Sequence, residues 1–380
     1  MIDMVREIDL QAIAHNISLL SENLPDRVER MAVVKADAYG HGAVPVARTA
    51  LQNGCSQLAV ATPQEGAALR QAGIRSPILV LGCAGREGSL LGISEGLTLT
   101  VASEEDALWA GEAARQLGKQ GCVHLKLDTG MHRIGIQTLA ERERVLQKLK
   151  SYAEIQLTGA FTHFADADGA DDQYTRLQFA SFCRLTEGLP SGILRHCANS
   201  AAVERYMPEM AMDMVRLGIS MYGYPPVDTK RVYCPALSWY SHVTFVKDIQ
   251  AGDAVSYGCT FVAEKPMRVA TIRCGYGDGY HRMASGKAEV LIRGHRCRVL
   301  GRICMDQMMA DVTQAGAVQP GERVTLIGRD GEESITAEDL ARWCGTISYE
   351  VLLSSAPRVH REYIGAPGSN DIGKETYYAK

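Results

Sequence analysis

The chain has 380 residues, of which 46% are hydrophobic and 22% are charged, a composition typical of an ordinary globular protein. Its formal net charge of −4 gives no reason to expect nucleic acid or an anionic membrane surface as a partner. The first ten residues are charged and lack the apolar core of a secretory signal, and the apolar runs are too short to span a bilayer.

The eleven cysteines are scattered singly along the chain and form no closely spaced pair. Zinc ribbons and disulfide frameworks both require paired spacing, so we expect neither a metal site nor disulfides. Reduced cysteines of this kind are typical of a cytoplasmic protein, in which most of them act as small core residues.

Strand and helix signals alternate from residue 31 to about residue 222. One helical stretch opens on Ser103 with Asp106 three residues later, which is close to a capping box, and reaches a helix stop at Gly121. Eight strands separated by helices predict a (β/α)8 barrel, although an open doubly wound sheet would alternate in the same way. The predicted strands are residues 32–35, 58–61, 78–81, 97–101, 123–127, 157–162, 194–197 and 214–217.

The sequence pattern changes after Pro226. Residues 236–330 contain short alternating runs rich in β-branched residues and broken by Gly-Asp and Gly-His turns, which predict a separate, mainly-β domain. One helix is predicted near residues 336–345. We therefore expect a barrel domain over residues 1–228, a β-domain over residues 229–365, and a loosely ordered polar tail over residues 366–380.

The stretch "MAVVKADAYGHG", residues 31–42, places Lys35 at the end of an apolar strand. In a barrel, the carboxyl ends of the strands face the active site. An ammonium group in apolar surroundings has a lowered pKa, and the neutral amine can form a Schiff base with an aldehyde. The commoner alternative is a strand-end lysine that extends into solvent.

Polar side chains also follow four other predicted strands, in "KLDTGMHRIG" (126–135), "FTHFADAD" (161–168), "HCANSAA" (196–202) and "MVRLGISMYG" (214–223). Ser200 opens a predicted helix, and Gly218 and Ile219 follow the eighth strand, where barrels commonly bind phosphate. His163 alone would indicate a structural histidine, and Arg216 alone one half of an ion pair. Five such strand ends in one barrel predict a site.

These motifs resemble the sequence blocks of the alanine racemases, a family of pyridoxal-phosphate enzymes. The resemblance covers essentially all of residues 6–363 and continues through "VSYGCTF", "GYGDGY", "GRICMDQMM" and "ISYE" in the family's order and spacing. It implies a (β/α)8 barrel followed by a mainly-β C-terminal domain, in agreement with the element pattern.

The resemblance also implies the cofactor and its contacts. Lys35 would carry pyridoxal 5'-phosphate as a Schiff base and then act as a general base. Arg216 would face the pyridine nitrogen, and because a guanidinium does not give up its proton, that nitrogen would stay unprotonated and racemisation would be favoured over transamination. His163 would lie beside the ring, and the phosphate contacts would be Tyr39, Ser200, Gly218, Ile219 and Tyr349.

A second base is required on the opposite face of the substrate, and the resemblance assigns it to Tyr257. His196 is either the partner that makes Tyr257 more reactive or a structural histidine.

Arg133 and the backbone N–H of Met305 would hold the substrate carboxylate, with Asp306 as a supporting residue. Lys126 matches a position that is often carbamylated in the family. Tyr276 and Tyr349 would line the entrance; the alternative, packing within the β-domain, suits Tyr280 better than Tyr276.

The resemblance implies a head-to-tail homodimer with shared active sites, an amino acid as the small-molecule partner, and production of D-alanine for peptidoglycan. Amino-acid decarboxylases of related fold are an alternative, but they place a carboxylate, not an arginine, at the ring nitrogen. Single-barrel pyridoxal-phosphate proteins lack a β-domain. A serine-using or broad-specificity racemase, such as the catalytic domain of a membrane-fused vancomycin-resistance enzyme, is a further alternative, which the bulk of Tyr349 disfavours.

Overall fold

The computed structural model describes residues 4–22 and 24–365, and the chain divides into two compact units. One unit is Ile13–Cys234, and the other combines the described residues up to Ala12 with those from Pro235 onward. The tail predicted over residues 366–380 lies outside the described residues. The unit boundaries differ from the predicted domain limits of 228 and 229 mainly at the N-terminus, because the N-terminal strand Val5–Asp9 belongs to the second unit.

The first unit is built on eight parallel strands, which coincide with all eight predicted strands. The first strand pairs with both the second and the eighth, and each strand from the second to the sixth pairs with the next one in the chain. Backbone bonds from Asp213 to Arg195 and from Arg216 to Ala198 link the eighth strand to the seventh. In chain order the strands are Glu29–Val33, Gln57–Val60, Ile78–Val80, Thr98–Val101, Gly121–Lys126, Ile155–Phe161, Leu194–His196 and Met214–Leu217.

This nearly closed sheet confirms the (β/α)8 barrel and excludes the open sheet. Helices alternate with the strands, and several begin at a side-chain cap. The Ser103 hydroxyl accepts the Asp106 N–H at 3.1 Å, as predicted. That helix ends at Gly118, with φ 61°, because Gly121 is already the first residue of the next strand. The helices are Leu10–Ser21, Ala43–Gln52, Pro63–Gln71, Gly85–Ser94, Glu104–Leu117, Leu139–Lys150, Gln173–Thr186 and Ser200–Arg205, with a 3-10 turn at Ile219–Tyr222.

The second unit is a nine-stranded sheet. An additional antiparallel pairing between Leu237–Ile249 and Arg323–Asp330 joins strands that are not neighbours in the sheet order. From edge to edge the strands are Glu333–Ile335, Arg323–Asp330, Glu289–Ile292, His295–Leu300, Met308–Asp311, Met267–Ile272, Leu237–Ile249, Val5–Asp9 and His360–Ile364. A separate hairpin pairs Ala254–Val255 with Phe261–Val262.

Two helices complete this unit. Ala337–Cys344 confirms the helix predicted near residues 336–345, and Thr336 caps it by accepting the Asp339 N–H. Ser348–Leu353 was not predicted. Short 3-10 turns at Tyr257–Cys259, Tyr276–Asp278 and Arg282–Ala284 interrupt the strands. Among residues 4–22 and 24–365, no helix combines the length and the apolar character that a membrane span requires.

The strand Val5–Asp9 pairs antiparallel with Leu237–Ile249 and parallel with His360–Ile364. Val5 and Ile8 are buried there. The sequence analysis placed these residues in the barrel domain because they precede it, and their pairing partners lie more than 220 residues further along the chain.

Candidate active site

Lys35 lies two residues beyond the end of the first barrel strand, not within it as predicted. Residues 36 to 39 have φ between 50° and 53°, so four successive non-glycine residues adopt the left-handed region. Backbone bonds from Ala38 to Val34 and from Gly40 to Ala36 close this left-handed turn. Each such residue costs roughly 1–2 kcal/mol. Strain of this kind, maintained at a strand end beside a lysine, is typical of a functional site.

Four cations lie at the same end of the barrel: Lys35, Lys126, Arg133 and Arg216. Burial lowers the pKa of the half-buried Lys35 amine, and the positive charges of Arg133 and Arg216 lower it further. Burial likewise lowers the pKa of Lys126 to about 8, together with the same two arginines. Lys126 is 3% exposed and donates to the Leu127 carbonyl at 2.9 Å. This concentration of charge suits ligands that carry negative groups.

Arg216 is the buried centre of the barrel site. Its guanidinium donates to the carbonyl oxygens of Thr162 at 2.8 Å, Cys197 at 2.9 Å and His196 at 3.1 Å. It also lies 3.0 Å from Nδ1 of His196 and 3.3 Å from Nδ1 of His163. Because a guanidinium only donates, both imidazole nitrogens must act as acceptors. Arg216 is therefore held in one orientation by five acceptors.

A chain of histidines continues from Arg216 into the barrel core. Nε2 of His196 lies 3.0 Å from Nδ1 of His124, and Phe161 stacks on the His196 ring at 5.0 Å. With Nδ1 accepting from Arg216, a neutral His196 carries its proton on Nε2 and donates it to His124. Burial lowers the pKa of His124 to about 3, and burial followed by the charge of Arg216 lowers the pKa of His196 well below its usual range.

Of the two interpretations of His196, these contacts favour the structural one: both of its ring nitrogens have partners within the barrel, and one of those partners is Arg216. His124 was missed by the sequence analysis. The only signal was a single polar residue inside the apolar strand "CVHLK", which by itself does not distinguish a ligand from a core histidine. His163 is half-buried, and its lowered pKa results from burial and then from the neighbouring cations.

Three residues from separate loops lie close together. Ser200 follows the seventh strand, Gly218 follows the eighth, and Tyr39 is the last residue of the left-handed turn. The Ser200 hydroxyl accepts the Gly218 N–H at 3.0 Å and faces the Ser220 N–H at 3.5 Å. A side chain at Gly218 would begin 3.2 Å from the Ser200 oxygen and 3.5 Å from the Tyr39 hydroxyl. Ile219 opens the following 3-10 turn. Tyr39, Ser200, Gly218 and Ile219 together form a cradle, a space lined by hydroxyl and N–H groups that a side chain at position 218 would fill.

The β-unit positions the remaining predicted residues. Tyr257 is 69% exposed and begins a 3-10 turn after Ser256, which has φ 68°. The Tyr276 N–H donates to the Cys304 carbonyl at 3.0 Å, and the Gly277 N–H to the Met305 carbonyl at 2.8 Å. The loops that carry Tyr276 and Met305 are therefore joined by backbone hydrogen bonds, and these two residues are 41% and 54% exposed.

A buried carboxylate fixes this pair of loops, and the sequence analysis did not identify it. Asp278 accepts the Gly275 N–H at 2.9 Å and forms ion pairs with Arg273 and Arg358. Arg358 also pairs with Asp306 at 2.7 Å. Through Arg358, Asp306 connects the loop that carries Met305 to the buried Asp278.

Tyr349 lies on the unpredicted helix Ser348–Leu353. The buried Arg6, from the N-terminal strand, donates to the carbonyl oxygens of Leu352 and Ser354 at the end of that helix. Its guanidinium carbon lies 4.3 Å from the centre of the Trp239 ring, and burial lowers the pKa of Arg6 to about 9. The N-terminal strand therefore stabilises the helix that carries Tyr349.

The predicted site residues thus form two groups, each ordered within its own unit. The barrel group contains Lys35, Tyr39, Lys126, Arg133, His163, His196, Ser200, Arg216, Gly218 and Ile219. The β-unit group contains Tyr257, Tyr276, Met305, Asp306 and Tyr349. Among the described residues, no group of three or more histidine, cysteine, aspartate or glutamate side chains could hold a metal ion.

The barrel carries a lysine with a lowered pKa and the cradle of hydroxyl and N–H groups, and a β-unit completes the chain. These features are typical of a class of two-domain (β/α)8-barrel enzymes. Comparison with known proteins identifies the family. The family model of the alanine racemase N-terminal domain matches residues 8–226, and that of the C-terminal domain matches residues 236–363.

Individual relatives agree with the family models. The alanine racemase of Symbiobacterium thermophilum is 43% identical over 366 residues, which cover 94% of this chain and 96% of the relative. The solved alanine racemase from Bacillus anthracis has a TM-score of 0.90 and 37% identity, with 96% of each chain covered. A solved histidine racemase from Leuconostoc mesenteroides has a TM-score of 0.88 and 32% identity, with 95% of this chain and 98% of that chain covered. The chain therefore belongs to the alanine racemase family and is an amino-acid racemase of the isomerase class.

Proposed function

We propose that the chain interconverts L-alanine and D-alanine with pyridoxal 5'-phosphate bound at Lys35, and that Lys35 and Tyr257 act as bases on opposite faces of the substrate. The observation that carries the proposal is the half-buried Lys35 amine of lowered pKa at the barrel end, in a chain whose curated relatives are named alanine racemase. The product D-alanine would serve peptidoglycan synthesis in the cytoplasm, a location supported by eleven free cysteines.

The residues present fit the cofactor. Tyr39, Ser200, Gly218 and Ile219 offer hydroxyl and N–H groups to its phosphate, and the glycine leaves the space that a side chain would occupy. Tyr349 is the fifth proposed phosphate contact, and His163 the neighbour of the ring. When bound, the cofactor supplies an aldehyde for the amine and an electron-withdrawing ring.

Lys35 and Arg216 have complementary roles in this proposal. Because burial and neighbouring cations lower the pKa of Lys35, a larger fraction of its amine is neutral and able to remove a proton from the substrate α-carbon. Arg216 holds its orientation through five acceptors and gives up no proton to the ring. This arrangement favours prompt return of the proton to carbon, and therefore racemisation.

Racemisation needs a second base, because a single base returns the proton to the face from which it came. Tyr257 is exposed on the β-unit, together with Tyr276 and Met305. Of the thirteen large hydrophobic side chains that are exposed among the described residues, nine belong to this unit. This supports a head-to-tail homodimer, in which the β-unit of one protomer completes the barrel site of its partner.

Lys126 is proposed to be carbamylated. Carbon dioxide reacts with the neutral form of an amine, and a pKa of about 8 leaves Lys126 partly neutral near neutral pH. The carbamate would bring a negative charge among three cations and would accept hydrogen bonds from Arg133. Arg133 would then be oriented to hold the substrate carboxylate, together with the Met305 N–H.

Alanine is the proposed substrate because the curated relatives carry that name, and in this proposal the bulk of Tyr349 would limit the side-chain pocket. The Leuconostoc protein, named a histidine racemase, has nearly the same fold, so the fold alone does not set the substrate. The serine-using and broad-specificity alternatives are not favoured. Initial rates of racemisation on a panel of L-amino acids test this choice, and alanine is expected to be the best substrate.

Lys35→Ala tests the assignment of the lysine. We expect loss of both racemisation and the visible absorbance of the bound cofactor, with no change in Lys119→Ala, which removes an exposed lysine of the barrel unit. If borohydride reduction instead links the cofactor to another lysine in active enzyme, the proposal is wrong.

A further inference from the structure

Two helices of the barrel unit begin with the same capping box. At the start of Pro63–Gln71, Oε2 of Glu65 accepts the N–H groups of Ala61 at 2.7 Å and Thr62 at 3.3 Å. At the start of Leu139–Lys150, Oε2 of Glu141 accepts the N–H groups of Gln137 at 2.9 Å and Thr138 at 3.1 Å. In both boxes the threonine hydroxyl accepts the glutamate N–H. The two glutamates therefore stabilise their helices in the same way.

Glu65 makes one contact that Glu141 does not. Its second oxygen, Oε1, accepts the Ala36 N–H at 2.6 Å. Ala36 directly follows Lys35 and is the first of the four residues in the left-handed turn. The carboxylate thus connects the loop after the first barrel strand to the loop after the second.

The left-handed turn needs such external support, because L-residues favour the opposite hand. Asp37, the second residue of the turn, contacts the next helix, where its Oδ1 accepts the Ala43 N–H at 2.7 Å. The first residue, Ala36, is held by Glu65. A turn held by these two contacts keeps the residue that precedes it in one position.

We propose that Glu65 is a positioning residue for Lys35, which fixes the place of the amine by accepting the Ala36 N–H and holding the left-handed turn. This inference rests on the proposed function, in which Lys35 would hold the cofactor and move the proton. The negative charge of Glu65 also raises the pKa of the Lys35 amine, in opposition to burial and to the two arginines.

The matched pair Glu65→Ala and Glu141→Ala, both made in the full-length protein, separates this role from helix capping. Both variants lose a capping box, so we expect similar decreases in melting temperature. Only Glu65→Ala is expected to lower kcat, by roughly tenfold to a hundredfold, with little change in KM. Only this variant is expected to speed hydrogen exchange at the Ala36 N–H.

The basicity of Lys35 gives a second readout that a purely structural role would not change. Competitive acetylation as a function of pH, measured before the cofactor is added, reports the pKa of the Lys35 amine. We expect a lower pKa in Glu65→Ala than in Glu141→Ala. Glu65→Gln and Glu141→Gln retain side-chain size, serve if the alanine variants fold poorly, and are expected to show the same contrast.

If the Glu65 variants match the Glu141 variants in kcat, in Ala36 exchange and in the pKa of Lys35, the inference is wrong. Failure of the proposed function has a different signature, namely cofactor bound at another lysine. Exchange of the Ala36 N–H and acetylation of Lys35 do not depend on the cofactor, so they decide the inference in either case.

Discussion

At the residue scale, the buried Arg216 depends on its acceptors. Three carbonyl oxygens and two imidazole nitrogens surround a cation that is 4% exposed. Burial lowers the pKa of this guanidinium to about 10, which leaves it charged at neutral pH. A charged group this deeply buried is stable because acceptors surround both of its terminal nitrogens.

We expect Arg216→Glu to lower the rate of racemisation at least tenfold and to increase transamination. A carboxylic acid could share a proton with the ring nitrogen of the bound cofactor, whereas a guanidinium could not, so return of the proton to the substrate α-carbon would be slower. The measurement is the amount of pyridoxamine phosphate formed per turnover with alanine, in correctly folded protein. Arg216→Lys, which retains a cation, is the control. An equal amount of pyridoxamine phosphate in Arg216→Glu and in the unmodified enzyme would contradict this account.

The buried histidines predict how stability depends on pH. Burial lowers the folded-state pKa of His124 from 6.5 to about 3, and the pKa values of His196 and His163 also fall. Between about pH 3 and pH 6.5, the unfolded chain binds a proton at His124 that the folded chain does not bind. The stabilisation is therefore complete above about pH 6.5 and is lost as the pH falls toward 3, at up to about 1.4 kcal/mol per pH unit for each histidine.

His124→Asn tests this prediction. We expect the urea midpoint of the variant to fall less steeply between pH 7 and pH 5 than that of the unmodified protein, whatever the absolute stabilities. His295→Asn, which removes an exposed histidine, should leave the slope unchanged. An unaltered slope in His124→Asn would show that His124 is not the source of the dependence.

At the element scale, the fifth and sixth barrel strands fit together only because Gly159 lacks a side chain. Gly159 pairs in register with His124, and a methyl group on it would begin 2.5 Å from the His124 ring. The His124 ring, which accepts the hydrogen bond from His196, thus occupies the space beside Gly159 that a side chain would fill.

We expect Gly159→Ala to reduce the free energy of unfolding by roughly 1–3 kcal/mol, because the added methyl group overpacks the barrel interior. It should also lower racemase activity, since His124 would shift away from His196. Urea unfolding and initial rates provide the measurements. Gly88→Ala is the control, because its methyl group would lie 3.2 Å from the nearest atom, on a helix. Equal effects of the two substitutions would exclude the proposed clash.

At the scale of the whole molecule, the two units each carry part of the proposed site. Lys35 lies on the barrel unit and Tyr257 on the β-unit, about 220 residues later. In a symmetric head-to-tail dimer, each site combines Lys35 from one protomer with Tyr257 from its partner. That arrangement predicts complementation between two inactive variants.

Lys35→Ala and Tyr257→Ala are each expected to be nearly inactive, and their co-expression should restore activity. A mixed dimer holds one site with both defects and one site with neither. Random association makes half of the dimers mixed, so recovery should approach roughly a quarter of the unmodified activity. Each variant expressed alone is the control. Mixed dimers without recovery would mean that Tyr257 acts within its own chain.

The sequence by itself determined the barrel, the β-domain and the positions of the strand-end motifs. All eight barrel strands were predicted because strands of a parallel sheet are apolar on both faces, so each is visible as a local run. The candidate residues at the barrel end were predicted because polar groups follow those runs, and the candidates of the β-domain were predicted from the family resemblance alone.

Only the tertiary structure decided how these residues are held. It places the N-terminal strand in the second unit, assigns His196 to Arg216 and His124, and connects Glu65 to the turn beside Lys35. Each of these contacts joins residues that are between 20 and more than 200 positions apart. A local pattern shows which face of a strand or helix is apolar, but it does not show which distant donor meets which acceptor, because packing of the whole chain sets those pairs.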